Sequence, residues 1–296
     1  SKSHNIDFDN KCVSVDVSAR NDLVSISNNK ILNIFRKEEV FEDSSGLLNP
    51  IYAINHQNDV IQAKFSNSGS RIGICDFDHI LTVYDVDNEC NVVFKTESMM
   101  LKNWKFAFSP NDKQLAYGLY DLHLFDLDNY KKQHLNLDGN VFYSLCYLDN
   151  NNLAIGNKNG TVYVFTTDYL KKAFKIEEHC KPIRDLAYDE ANKNLFITSD
   201  DLHMTIFDMA GSKVKSTIVG HKDLITCVKY NEASKLLYTG SLDGVMKIWD
   251  VNRSSSEIQS IDIGKEIWDL SVNKTGSEII VGTETGCEFY NLKSDR

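Results

Sequence analysis

The residues best placed to do chemistry share one window of the chain: Gly220, His221, Thr239, Ser241, Asp243 and Trp249. A carboxylate, an imidazole and a hydroxyl are the parts of a hydrolytic triad, in which the acid orients the imidazole and the imidazole takes the hydroxyl proton. The same parts can form a buried brace, with the indole N–H of Trp249 as a further donor. The surroundings favour the brace. No Gly-x-Ser-x-Gly elbow presents a serine. His56 and His179 stand where His221 stands in a longer repeat, and a structural brace has reason to recur where a triad has none. None of the eight histidines lies in a His-Glu-x-x-His pattern, and none of the seven cysteines forms a Cys-x-x-Cys pair, so the sequence offers no zinc-ligand spacing. It offers no phosphate-cradling glycine loop either. The reading is no catalytic residue, no metal ligand, no cofactor and no small-molecule substrate. His221, a hydroxyl from Thr239 or Ser241, Asp243 and Trp249 form a structural hydrogen-bond set. His79, His123 and His203 read as exposed turn residues, and Asp78, Asn159 and Asp201 as braces of their own turns.

The elements that would position this set follow from a period. Trp249-Asp250 closes an alternating apolar run, and stepping along the chain by roughly forty residues lands on Phe35, Tyr84, Phe125, Phe165, Phe207 and Tyr290. A second signal keeps the same phase, an apolar-x-apolar strand upstream of each marker: Val15-Asp16-Val17, Ala63-Lys64-Phe65, Phe106-Ala107-Phe108, Leu145-Cys146-Tyr147, Leu186-Ala187-Tyr188, Val228-Lys229-Tyr230 and Leu270-Ser271-Val272. Alternation places successive side chains on opposite faces, as in strands. Gly-His at the opening, Ser-x-Asp-Gly in a turn and Trp-Asp at the end mark a WD40 repeat. The predicted fold is all-β: one domain over residues 1–296, a seven-bladed WD40 β-propeller with four antiparallel strands per blade and no helix. Asn5-Ile6-Asp7-Phe8 is expected to supply the outer strand of the last blade and so close the ring. The acidic stretch from Glu38 to Gly46 lengthens the first repeat and reads as a mobile loop between its third and fourth strands.

Composition narrows the function. An odd cysteine count without paired spacing points to reduced thiols, in cytosol or nucleus. No apolar run approaches the roughly 18 residues of a membrane span, and residues 1–20 lack a signal-type apolar block. The formal net charge of −10 disfavours direct nucleic-acid binding, which needs a basic surface. Lys131-Lys132 and Lys171-Lys172 read as isolated, solvated pairs. The expectation is a protein-binding chain that is monomeric on its own.

One position of the repeat carries unusual residues. Two places before the first apolar residue of each inner strand stand Val13, Ile61, Trp104, Tyr143, Arg184, Thr226 and Trp268. Of three tryptophans in the chain, Trp104 and Trp268 share this phase. In a propeller it lies at one mouth of the central channel. Trp, Tyr and Arg are the residues enriched in interface hot spots, so Trp104, Tyr143, Arg184 and Trp268 are read as the centre of a peptide-binding patch, with Ile61 and Thr226 beside them. Asp59, Lys102, Leu224 and Glu266 flank it.

With the phase fixed, the chain resembles the WD-repeat subunit of the Ski (superkiller) complex, shared in animals with the RNA polymerase II-associated factor complex. The resemblance runs end to end and rests on Val13-Ser14-Val15-Asp16-Val17-Ser18, Trp104-Lys105-Phe106-Ala107-Phe108-Ser109-Pro110 with Leu115-Ala116-Tyr117-Gly118, Pro182-Ile183-Arg184-Asp185-Leu186, Ser199-Asp200-Asp201 and Ile267-Trp268-Asp269-Leu270. It implies a non-catalytic adaptor, cytoplasmic and nuclear, that binds a tetratricopeptide-repeat scaffold subunit carrying an RNA helicase. Such an assembly supports exosome-mediated 3'-5' mRNA decay, and the shared complex links it to transcription elongation. The family binds partners on the propeller's top face, which carries Trp104, Arg184 and Trp268 over by type and phase. Tyr143 and Thr226 depart from the family's aliphatic preference, and Val13 stands where the family has an aromatic. The competing reading is a substrate receptor of a ubiquitin ligase or another regulatory complex.

Overall fold

A computed structural model describes residues 2–7, 11–42, 48–96, 103–253 and 255–292. Its strands form seven four-stranded antiparallel sheets, the blades that the seven repeats predict, and the fold class is that of a seven-bladed β-propeller. The blades divide between two compact units.

One unit holds the first, second and seventh blades, whose inner strands are Cys12–Val17, Val60–Phe65 and Ile267–Val272. The seventh blade is completed by the N-terminal strand: Lys2–Asp7 pairs antiparallel with Gly286–Asn291, from Lys2 opposite Tyr290 to Asp7 opposite Gly286. The edge that Gly286–Asn291 would otherwise expose is thereby covered. Phe8, the last residue of the expected closing run, and residues 293–296 lie outside the described residues.

The other unit holds the third to sixth blades, with inner strands Asn103–Phe108, Phe142–Tyr147, Ile183–Asp189 and Ile225–Asn231. In both units the second strands are buried almost throughout, as in Asn194–Ser199, while fourth strands such as Lys132–Asn136 are largely exposed. Sequence explains the contrast. Strands covered on both faces read as continuous apolar runs, here Asn-Leu-Phe-Ile-Thr-Ser, whereas Lys-Gln-His-Leu-Asn alternates weakly and keeps water on one face. Apolar clusters fill the spaces between neighbouring blades: Leu122, Leu124, Phe142, Leu153 and Phe165 in one case, Ile34, Val60, Ala63 and Ile72 in another.

Side chains also tie adjacent inner strands. Asp269 Oδ2 accepts the backbone N–H of Val15 at 3.1 Å and the ammonium of Lys64 at 2.9 Å. Asp16 accepts the N–H of Phe65 at 2.8 Å and the hydroxyl of Ser271 at 3.0 Å. In the other unit Asp185 accepts the N–H of Val228 at 3.0 Å. An inner strand has an unpaired edge, and its N–H groups need acceptors. Here carboxylates of the preceding blade supply them. Burial pushes the Asp16 carboxyl above its ordinary value, against the pull of Lys64.

Two expectations change. The acidic insertion contains a helix, Lys37–Glu42, and that part is docked: Val40 is wholly buried, Phe41 meets Phe289 edge-on at 5.3 Å, and Lys37 Nζ pairs with Glu278 at 2.7 Å. Apolar Val40 and Phe41 adjoin each other on one face while Glu38, Glu39 and Glu42 face solvent, a one-turn amphipathic pattern too short to stand out in the sequence. Residues 43–47 lie outside the described residues. His123, expected in an exposed turn, sits within the strand Asp121–Asp126 and is buried, stacked between Tyr117 at 5.2 Å and His134 at 5.9 Å.

Candidate functional site: a row of bulges on the inner strands

The unusual repeat position is a β-bulge. In six inner strands the pairing register slips between the first and third residues: Cys12/Ser14, Val60/Gln62, Asn103/Lys105, Phe142/Ser144, Ile183/Asp185 and Ile267/Asp269. The skipped residues are Val13, Ile61, Trp104, Tyr143, Arg184 and Trp268, and Thr226 holds the same place in the sixth blade. A bulge leaves one residue outside the ladder and re-aims its side chain. The preceding residue stays anchored in the core; Cys12, Val60, Phe142, Ile183 and Ile267 are each 0% exposed. The bulged residue is half-buried in every case except Ile61, which is buried. Ile61, 9% exposed, offers little area to the candidate surface.

In the four-blade unit the bulge row gives Trp104, Tyr143, Arg184 and Thr226. Arg184 is held on two sides. Its Nε donates to Asp200 Oδ1 at 2.9 Å and its Nη2 donates to Asp200 Oδ2, while the guanidinium lies 5.9 Å from the centre of the Tyr143 ring. Asp200 is fixed by its own backbone N–H, which donates to Pro182 O at 3.0 Å. A two-point carboxylate clamp gives the planar guanidinium one orientation, and leaves Nη1 and a ring edge to meet a ligand. Thr226 Oγ1 donates to Gly240 O at 3.1 Å.

In the three-blade unit Trp268 and Val13 line a cavity of ≈ 510 Å³ together with Lys11, Asp59, Phe77 and Glu284. The Lys11 ammonium lies 4.2 Å above the Trp268 ring, a cation–π contact. Phe77 is 53% exposed, and the buried Trp268 Nε1 has no hydrogen-bond acceptor. Of the flanking residues, Asp59 reaches this cavity and Glu266 does not line it; Lys102 lies outside the described residues. The contacts of Asp200, Lys11 and Phe77 with the bulged residues are not legible in the sequence. Asp200 reaches Arg184 by strand pairing within the fifth blade, whereas Lys11 and Phe77 come to the Trp268 cavity from the first and second blades.

The histidine set is a brace. His221 Nδ1 donates to Asp243 Oδ2 at 3.0 Å, Thr239 Oγ1 donates to His221 Nε2 at 2.8 Å, and Trp249 Nε1 donates to Thr239 Oγ1 at 2.9 Å. Ser241 serves the turn instead: its hydroxyl donates to Asp223 O and accepts the N–H of Asp243. The relay has the polarity of a triad, but Thr239 is 0% exposed and its oxygen is capped by the indole, so no substrate can reach it. Burial lowers the His221 pKa, against the pull of Asp243. Burial opposes ionisation of Asp243, yet the N–H groups of Lys222 and Val245 together with His221 hold its carboxyl below the ordinary range. Gly220 is required by packing, since a Cβ there would stand 2.6 Å from the Trp249 ring.

Sister blades show the brace degraded. His179 Nδ1 pairs with Asp201 at 2.8 Å, but Ile197 occupies the hydroxyl's place and His179 Nε2 has no partner. In the second blade Ile74 stands there, His56 Nε2 is likewise without a partner, and its Nδ1 lies 3.8 Å from Asp76. Asp201 braces its turn as expected, accepting the N–H of His203. In two other turns the brace stands two residues earlier: Asp76, not Asp78, accepts the N–H of Ile80, and Asn157, not Asn159, accepts the N–H of Thr161.

Comparison with known proteins agrees with a WD-repeat scaffold. The chain is similar to the mitotic checkpoint protein bub3 of Dictyostelium discoideum, 25% identical over 45% of this chain and 39% of that protein. It is similar to the THO complex subunit 6 homolog of Danio rerio, 27% identical over 54% of this chain and 56% of that protein. It is also similar to the ribosome biogenesis protein YTM1 of Coprinopsis cinerea, 29% identical over 38% of this chain and 26% of that protein. The chain thus spans from about a quarter to just over half the length of these relatives. The profile of the β-propeller described as "Nucleolar protein 10-like, N-terminal domain" matches residues 115–296, more than half of the chain, and the chain belongs to that family.

Proposed function

We propose that this chain is a non-catalytic scaffold that captures peptide segments of partner proteins with bulged residues of its inner strands, Trp104, Tyr143 and Arg184 in one unit and Trp268 in the other. The observation that carries the reading is the half-buried state of Trp104, Tyr143, Arg184 and Trp268 at bulge positions. A bulge fixes the backbone beneath each side chain, so little conformational freedom is lost when a partner docks. The rings offer area, and the clamped guanidinium offers a directed donor. At the finer level we assign the chain to a Ski-type complex, with a tetratricopeptide-repeat scaffold and its RNA helicase as partners, in exosome-linked mRNA decay. The residues of the Ski-family resemblance, Trp104, Arg184 and Trp268 above all, support this assignment.

A second reading has its own support. Membership of the nucleolar-protein-10-like family and similarity to a ribosome biogenesis protein favour a scaffold in ribosome assembly. Affinity purification from cells followed by mass spectrometry separates the two. Recovery of a tetratricopeptide-repeat protein and a helicase by the wild type, and their loss with Trp268→Ala and with Arg184→Ala at unchanged melting temperature, is the expected result. Recovery of pre-ribosomal factors in their place would move the assignment to ribosome assembly. Undiminished capture by both variants would remove the bulge row as the binding surface.

A further inference from the structure

The two lysine pairs that look isolated in the sequence occupy one structural position in neighbouring blades. Asp126 N–H donates to Lys131 O and Thr166 N–H donates to Lys171 O. Tyr130 and Leu170, just before the pairs, both adopt positive φ, 58° and 49°. The hairpins between the third and fourth strands of the third and fourth blades are therefore equivalent, and each ends in Lys-Lys. Lys131, Lys132, Lys171 and Lys172 are exposed. Among the described residues, none of the four forms an ion pair within 4.0 Å, and Lys172 lies 5.4 Å from the ring of Tyr163. Two exposed tyrosines accompany them, Tyr130 at 72% and Tyr169 at 84%.

Between these blades lies an open groove of ≈ 250 Å³, walled by Leu135 and Leu137 on one side and by Tyr163, Phe165 and Leu170 on the other. Lys172 lines it at the hairpin end, and Asp138 and Asn140 line it at the end that leads into the inner strand of the fourth blade. The groove falls below the roughly 300–1,000 Å³ of small-molecule sites and has room for one bulky apolar side chain. Its charge is graded, cationic at the hairpins and weakly acidic at the far end, in a chain whose formal net charge is −10.

We propose that this groove is a second docking site, separate from the bulge row, for an acidic linear peptide that buries one large apolar residue between the third and fourth blades. The anchor residue covers Leu135, Leu137 and Leu170. Flanking carboxylates meet Lys131, Lys132, Lys171 and Lys172, and exposed tyrosines flank the strand of peptide. Charge complementarity sets the direction, with the acidic end of the peptide toward the hairpins. An acidic peptide fits better than a nucleic acid, because the lysines flank an apolar slot and do not form a continuous basic track.

The test uses the full chain and a fluorescein-labelled peptide with a single phenylalanine between two glutamate pairs, read by fluorescence anisotropy. Saturable, salt-sensitive binding is expected. Combined Lys131→Glu, Lys132→Glu, Lys171→Glu and Lys172→Glu should weaken it at least about tenfold with the melting temperature unchanged. Exchanging the peptide's phenylalanine for serine should abolish it. Trp268→Ala and Arg184→Ala should leave it intact, so the fate of this site is independent of the bulge row. No saturation at millimolar peptide, equal binding of the serine peptide, indifference to the four charge reversals, or displacement of the peptide by an oligouridine that binds more tightly would each overturn the proposal.

Discussion

Thr239 is the residue on which the sixth blade's brace turns, because its one oxygen serves both His221 and Trp249. Thr239→Val keeps the shape and leaves two buried polar groups unpaired, each costing about 1–3 kcal/mol. Denaturant unfolding should show a loss of about 3 kcal/mol. The converse change, Ile197→Thr, gives the orphan Nε2 of His179 a donor, and the new hydrogen bond offsets the apolar area lost. Stability should stay within about 1 kcal/mol of wild type, unlike an ordinary buried Ile→Thr. His123 supplies the pH test. Burial, then the nearby Lys132, lowers its pKa from 6.5 to about 4. A histidine with a depressed folded pKa favours the neutral form, so its contribution is complete above pH 6.5 and declines as pH falls toward about 4. His123→Phe, which keeps a ring between Tyr117 and His134, should flatten the fall in melting temperature across that window.

At the scale of elements, strand edges and the docked helix carry the consequences. The helix Lys37–Glu42 is too short to hold itself, so Phe41, packed on Phe289, must hold it. Phe41→Ala should cost about 3 kcal/mol and speed hydrogen exchange in residues 37–42. The closing strand is legible in the sequence only as four alternating residues, Asn5 to Phe8. In the structure it runs from Lys2 to Asp7, in antiparallel register against Gly286–Asn291. The bulges were legible as a phase shared by Trp104 and Trp268, but not as bulges. A register slip is a property of two paired strands, and one strand's sequence does not contain it. Ile61 shows the limit: it shares the phase yet is buried, while Val13, aliphatic and at the same phase, is half-buried, so residue type at the bulge does not by itself set exposure.

For the whole molecule, thiol chemistry gives a single reading of how the chain is packed. All seven cysteines are free; Cys12, Cys75, Cys227 and Cys287 are buried, and Cys180 is exposed. Burial pushes the Cys90 thiol up to about 11 and the Cys146 thiol up to about 12, which keeps both out of the reactive thiolate form. A thiol reagent at neutral pH should modify Cys180 quickly and the remainder only on denaturation, as counted by mass spectrometry. Rapid native labelling of Cys90 or Cys146 would contradict that packing. The chain's periodicity by itself determined the all-β class, the seven blades, the position of the inner strands and the His221–Asp243–Trp249 brace. A repeat writes its strand order and its recurrent hydrogen bonds into local residue types. Tertiary structure alone decided the partners brought in from elsewhere: Asp200 to Arg184, Lys11 and Phe77 to Trp268, and Asp269 to Val15 and Lys64. Those pairings depend on which residues of neighbouring strands and blades come face to face, and that distance is fixed by packing across the fold, not by spacing along the chain.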